Sequence, residues 1–143
     1  MKISDNVKAT LNMALKSRRL VAGTASKAGV PNAVPMTNVR ILDEETLILV
    51  DNYFLKTRKN LEENPQVTVS FWDMEEKEGK LVTKEAYQIK GKARIEPSGP
   101  LYEKIKADVK AANPNLPAKA IVLVKVEEIY DVKSGPNAGK RIQ

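Results

Sequence analysis

The chain has 143 residues and a formal charge of +6, from 24 Lys+Arg against 18 Asp+Glu. It contains no cysteine and no histidine. That excludes disulfide staples, histidine-ligated zinc or haem, and any triad with imidazole as its base.

Chemistry here must rest on carboxylates, lysines, hydroxyls or a borrowed cofactor. The basic balance favours an anionic partner, either a nucleic acid or a phosphorylated small molecule. Only 5% of residues are aromatic, too few for a row of base-stacking rings. The length suits one domain over 1–143, with 134–143 as a tail, burying roughly 70% of the surface its unfolded chain would expose. The opening "MKISDNVKATLNMALKSRR" is no signal peptide, because Lys8, Asn12 and Lys16 interrupt its apolar residues. No apolar run approaches the ~20 residues that span a bilayer. A cytoplasmic protein is the expectation, and the lack of cysteine fits a reducing compartment.

In chain order, Val7, Leu11, Ala14 and Leu15 recur at helical spacing and predict a first helix, with Ser4 or Asp5 as N-cap. "LVAGTAS", 20–26, reads as a strand, and "KAGVPN" as a turn in which Gly29 supplies positive φ. "AVPMTNVRIL", 33–42, reads as a second strand, at an edge or a mouth where Pro35 cannot donate. "TLILVD", 46–51, is apolar on both faces, as in a strand covered from both sides.

Residues 55–64 predict a short helix, stopped by Pro65. "QVTVSFWD", 66–73, alternates as a strand, and "MEEKEGKLVTKE" reads as an exposed, mobile connection. "AYQIKGKARI", 86–95, has the clearest period of two. Its Lys90, Lys92 and Arg94 make a wet face, and Gly91 marks a bulge or a close backbone approach. A third helix starts at Pro100, with Leu101, Ile105 and Val109 inward. Residues 120–132 form a long last strand, and the tail "KSGPNAGKRIQ" either docks or is disordered. Six strands with three helices spliced irregularly between them fit an antiparallel barrel better than a doubly wound parallel sheet.

The candidate site lies after the covered strand. Four residues beyond "VDN", 50–52, Lys56 and Thr57 stand at a helix start. Free N–H groups, a positive dipole end, an ammonium and a hydroxyl meet there, as a phosphate requires. A solvated helix surface is the plainer alternative, and Arg58 and Lys59 read as part of such a surface, in salt bridges of little energetic weight. Arg40 adds a further cation if the barrel brings it near. Met36 and Trp72, taken alone, read as packing residues.

The stretch "TASKAGVPNAVPMTNVRILDEETLILVDNYFLKTRKNLEENPQVTVSFWD" followed by "YQIKGKARIE" resembles the FMN-binding split β-barrel proteins, relatives of pyridoxamine 5′-phosphate oxidase. The resemblance covers 18–132 and rests on the order and spacing of the "G-x-P-x-x-x-P" entry, the "LKTRKNLEENP" helix and the "KGKA" strand. It implies a mainly β fold, a six-stranded antiparallel Greek-key barrel with short flanking helices. It also implies FMN held at a homodimer interface. A basic nucleic-acid-binding barrel, motivated by the +6 charge and the Lys90, Lys92 and Arg94 stripe, is not expected because an aromatic platform is missing, and no membrane partner is expected.

By that resemblance Pro35, Met36, Thr37, Asn38 and Val39 run beside the isoalloxazine ring, closed by the basic Arg40. Val50, Asp51 and Asn52 lie by the cofactor, Lys56 and Thr57 grip its phosphate, and Trp72 and Gln88 enter from the partner subunit. The function implied is an oxidoreductase passing electrons through FMN, with no nameable catalytic acid or base. A flavin-carrying electron-transfer or storage protein, and a deazaflavin-binding relative, remain alternatives. The true pyridoxamine phosphate oxidases carry a C-terminal extension with tryptophan and arginine residues, and "DVKSGPNAGKRIQ" shows nothing equivalent. Vitamin B6 oxidation is therefore not expected, nor is histidine-ligated haem degradation.

Overall fold

The structure is a computed structural model that describes residues 2–143. Helix α1 spans Asp5–Ser17, β1 Leu20–Ala25, β2 Pro31–Pro35, β3 Val39–Asp43 and β4 Thr46–Asp51. Then come α2 Lys56–Glu63, β5 Gln66–Lys77, β6 Lys80–Glu96, α3 Pro100–Ala112, β7 Ala120–Asp131 and β8 Lys140–Arg141. The strands form one antiparallel sheet in the order β2-β1-β5-β6-β7-β4-β3, with β8 pairing β7.

The sheet is split. β2 and β3 follow one another in the chain yet stand at opposite ends of the strand order. The single second strand expected over 33–42 is thus two strands, interrupted at Met36, Thr37 and Asn38. Pro35 ends β2, having no N–H to extend the ladder. The Met36 N–H still donates to the Leu20 carbonyl on β1 (3.1 Å), while the Asn38 carbonyl accepts from the Val50 N–H on β4 (3.0 Å). The chain therefore crosses from one end of the sheet to the other within three residues, and only Thr37 is tied to neither side.

β4 is covered on both faces, as its apolar run requires. Leu47 and Leu49 pack into a core with Ile3, Val7 and Leu11 of the N-terminal helix region and with Val69, Phe71 and Ile89 of β5 and β6. Ile48 and Val50 face the other way, into a second cluster with Tyr102, Ile105 and Val109 of α3. The helical periodicity of α1 and α3 thus closes the two sides of one strand.

Two further expectations change. The connection read as mobile over 74–85 is strand: β5 and β6 run to a hairpin turned by Glu78 (φ 53°) and Gly79 (φ 76°). Two successive positive φ values suit a tight hairpin turn matching the strands' twist. Second, the count is eight strands rather than six, since the split of 33–42 adds one strand and the tail supplies β8. The tail, for which docking and disorder were both open, docks: Ile129 N–H donates to the Gln143 carbonyl (2.8 Å), and the Gln143 side chain bonds the Lys2 carbonyl.

Gly91 sits where the β6–β7 register shifts, and a Cβ there would run into the Lys125 carbonyl and come within 2.9 Å of Val124 Cγ1. The close approach expected at this glycine is therefore present. No helix among the described residues is long and apolar enough to cross a membrane.

Candidate functional site

A cleft of about 560 Å³ opens where the sheet is split. That is within the ~300–1,000 Å³ usual for small-molecule sites. One wall is Val34, Pro35 and Met36, running on to Thr37 and Asn38; the other is Val50 and Asn52 at the end of β4. Tyr53, Phe54 and Leu55 carry the wall round to Lys56 and Thr57, with Asn32 and Leu116 at the sides.

The interruption at 36–38 has a chemical consequence. The Thr37 and Asn38 N–H groups lie outside any ladder and meet no acceptor among the described residues. Two backbone donors are therefore left beside an apolar slot lined by Pro35, Met36 and Val50.

The far end of the cleft is the start of α2. The first intrahelical bond is donated by the Lys59 N–H to the Leu55 carbonyl (3.1 Å). Leu55 occupies the N-cap and offers no side-chain bond, and the first turn holds no acidic residue. The preceding N–H groups stay free, with the positive end of the helix dipole behind them. Thr57 is 2% exposed; its hydroxyl accepts from Asn32 Nδ2 (3.2 Å), and its own proton reaches no acceptor among the described residues. Lys56 is exposed and pairs with no carboxylate among them. An uncapped helix, a hydroxyl proton and an ammonium converge on one spot, an anion seat.

The loop joining β4 to α2 is braced from behind. Asp51, 1% exposed, accepts from the Phe54 N–H (3.0 Å) and from Arg58 Nη1 (2.9 Å). Asn52 Oδ1 accepts from the Ala118 N–H (3.0 Å), tying the same loop to the segment before β7. Arg58, read from sequence as a solvated cation, instead holds a buried carboxylate. Acidic and basic residues seven apart across a strand–helix junction carry no periodic signal, so the sequence did not disclose this pair.

Of the residues expected at the site, Pro35, Met36, Thr37, Asn38, Val50, Asn52, Lys56 and Thr57 line the one cleft. Val39 is packed in the core at 5% exposure. Arg40 does not reach the cleft; it pairs with Asp108 on α3 (Nη1 to Oδ2, 3.3 Å). Asp51 lies behind the wall rather than in it. Trp72 and Gln88 sit elsewhere on this chain: Trp72 is opposite Ala86, and Gln88 opposite Ser70 and Tyr130. Asn32, Phe54 and Leu116 belong to the cleft and were not foreseen. Tyr53 and Leu55, 72% and 82% exposed, form its apolar lip. Two large apolar residues left bare just before a helix were the signal available for that lip.

The sequence profile of the pyridoxamine 5′-phosphate oxidase family matches residues 3–133. The chain belongs to this family. A family relative, an uncharacterized protein of Methanocaldococcus jannaschii, is 39% identical over 131 residues, covering 90% of this chain and 82% of its own. The HupZ protein of Group A Streptococcus, in its H111A form, is 28% identical with a TM-score of 0.70, covering 90% of this chain and 98% of that one. An FMN-binding protein of Syntrophomonas wolfei shares the fold at TM-score 0.69 and 15% identity, covering 88% of each chain. An F420 reductase shares it at TM-score 0.62 and 18% identity, covering 89% of this chain and 98% of its own. The mainly antiparallel sheet with three helices is thus the split barrel of the pyridoxamine 5′-phosphate oxidase family, whose structural neighbours include flavin- and deazaflavin-associated proteins.

Proposed function

We propose that this chain is an FMN-binding flavoprotein that passes electrons through the flavin, as an oxidoreductase of the family. One observation carries the reading: the free N–H groups of the split and the uncapped start of α2 open into a single cleft. The residues present fit the group. Pro35, Met36 and Val50 offer an apolar wall to the rings, Thr37 and Asn38 offer N–H donors to the polar ring edge, and Lys56 and Thr57 offer an anion seat to the phosphate. FMN, when bound, supplies the redox chemistry. The chain's part is to bind it, orient it and keep water from one face.

Tyr53 and Lys56 are the titratable groups lining the cleft. Neither is placed as an acid or base by a partner there, so the chain's contribution is read as binding. The bare lip of Tyr53 and Leu55 suits burial against a second copy, in a homodimer whose Trp72 and Gln88 face the partner's flavin. The resemblance to an F420 reductase supports a second reading, in which a deazaflavin takes the same slot.

Titrating the purified protein with FMN, following flavin fluorescence and the visible spectrum, tests the proposal. Saturation at one FMN per subunit is expected. Absence of binding to FMN, with saturable binding of the deazaflavin, would select the second reading. Turnover of a reduced nicotinamide by the loaded protein separates an enzyme from an electron carrier.

A further inference from the structure

Helix α2 meets the β1–β2 hairpin along a seam of side-chain amides and hydroxyls. Thr24 and Asn32 stand opposite one another in the β1–β2 register. Thr57 and Asn60 stand three residues apart on α2, hence on one face. The four form two bonds that run in opposite directions. Asn32 Nδ2 on the strand donates to Thr57 Oγ1 on the helix (3.2 Å), and Asn60 Nδ2 on the helix donates to Thr24 Oγ1 on the strand (3.1 Å). Past Asn60 the seam continues: the Lys27 N–H donates to Glu63 Oε2 (3.1 Å), and Asn64 Nδ2 donates to the Ser26 carbonyl (3.4 Å).

The first bond of the seam differs from the second in where it lies. Asn32 and Thr57 both line the cleft, whereas Thr24 and Asn60 stand outside it. A hydroxyl has one proton to give and two lone pairs with which to accept. Asn32 presents an N–H to Thr57 Oγ1, so it occupies a lone pair and leaves the proton unspent. Thr57 is 2% exposed, and that proton reaches no acceptor among the described residues. Buried hydroxyls normally spend their protons. One left over beside Lys56 and an uncapped helix start points to an acceptor oxygen on a ligand. An amide turned the other way would take the proton with its oxygen and leave the anion seat one donor short.

We propose that Asn32 is a positioning residue for the phosphate: it holds the Thr57 oxygen from the β2 side, so that the hydroxyl proton goes to a phosphate oxygen at the start of α2. Asn32 acts through Thr57 and makes no contact of its own with the phosphate. This inference rests on the reading of the α2 start as a phosphate seat and extends it to a residue on β2.

The test reads the preference for FMN over riboflavin, as the ratio of their dissociation constants, in a cycle of Asn32→Ala and Thr57→Ala. Asn32→Ala should reduce the preference about three- to tenfold, because the Thr57 hydroxyl is then free to turn. With Thr57→Ala already present, the same change should reduce it less than about twofold, because no hydroxyl remains to be aimed. With Thr57→Ser, which keeps the hydroxyl, the effect of Asn32→Ala should return. A merely structural role would weaken FMN and riboflavin equally and leave the ratio unmoved.

An unmoved ratio in Asn32→Ala would overturn the role, as would equal losses with and without the Thr57 hydroxyl. Asn32→Asp is a second variant of nearly the same shape, and it covers the case in which the alanine variant does not fold, which circular dichroism establishes. Its ionised carboxylate can only accept, so it should take up the Thr57 proton. The preference should fall roughly tenfold or more, and by less when Thr57→Ala is also present. Equal losses in the two backgrounds, as charge repulsion alone would give, would overturn the role. If the native protein shows no preference for FMN, the phosphate seat fails and the role of Asn32 with it. A native preference that survives Asn32→Ala unchanged leaves the seat standing and removes only the role of Asn32.

Discussion

Arg58 Nη1 lies 2.9 Å from Asp51 Oδ2, so the first turn of α2 is fastened to the last residue of β4. The carboxylate is 1% exposed and the guanidinium side chain 28% exposed. The pair lies behind the cleft wall and fixes the direction in which the helix start faces. The bond from Asp51 Oδ1 to the Phe54 N–H (3.0 Å) locks the intervening loop as well.

Removing Arg58 would strand a buried carboxylate with one remaining partner. Breaking a buried pair from one side typically costs ~3–5 kcal/mol. Arg58→Ala should therefore lower stability by about 3 kcal/mol in urea denaturation, with Arg58→Lys recovering part of the loss. A change below ~0.5 kcal/mol, the scale of an exposed pair, would show that the link contributes nothing.

Gly91 offers a test of the barrel's packing. Its missing Cβ is the space in which the Lys125 carbonyl of β7 sits. Gly91→Ala should cost ~1–3 kcal/mol through forced backbone movement. The melting temperature should fall with no loss of secondary structure at low temperature; an unchanged melt would contradict the close approach.

Tyr87 supplies a pH dependence. Burial raises its phenol to about 12, and the nearby Glu85 and Asp131 carboxylates push the same way. The unfolded value is about 10. With the folded value the higher one, its contribution to stability is complete below pH ~10 and is lost as pH rises toward ~12. The Glu128 carboxylate that accepts from the Tyr130 phenol raises that group as well, so spectrophotometric titration should show more than one tyrosine ionising late, and Tyr87→Phe should remove the latest step. Ionisation of every phenol near pH 10 would refute the burial argument.

Much of this was legible in the sequence, for stated reasons. "TLILVD" is apolar at every position but its ends, and β4 is covered on both faces. The α2 helix begins at Lys56 and stops before Pro65, as its composition requires. What escaped was set by tertiary partners. The break at 36–38 arises because one segment must serve two sheet ends, which no local pattern encodes. The 74–85 hairpin hid because Glu78 stands where an asparagine would announce a tight turn. The cleft was found through residues that line it by position, while Leu116 arrives from a distant segment and carries no motif. Arg40 looked available because its Asp108 partner is 68 residues away.

The central claim is that the start of α2 holds a phosphate. The direct measurement is calorimetric titration of FMN and riboflavin into the native protein and into the double variant Lys56→Ala, Thr57→Ala. Riboflavin shares the ring system and lacks the phosphate. Charge-assisted hydrogen bonds are worth ~1.5–3 kcal/mol each, so FMN affinity should fall roughly a hundredfold or more. Riboflavin affinity should change by less than about threefold, which is under 1 kcal/mol. Equal losses for both ligands would contradict the phosphate seat.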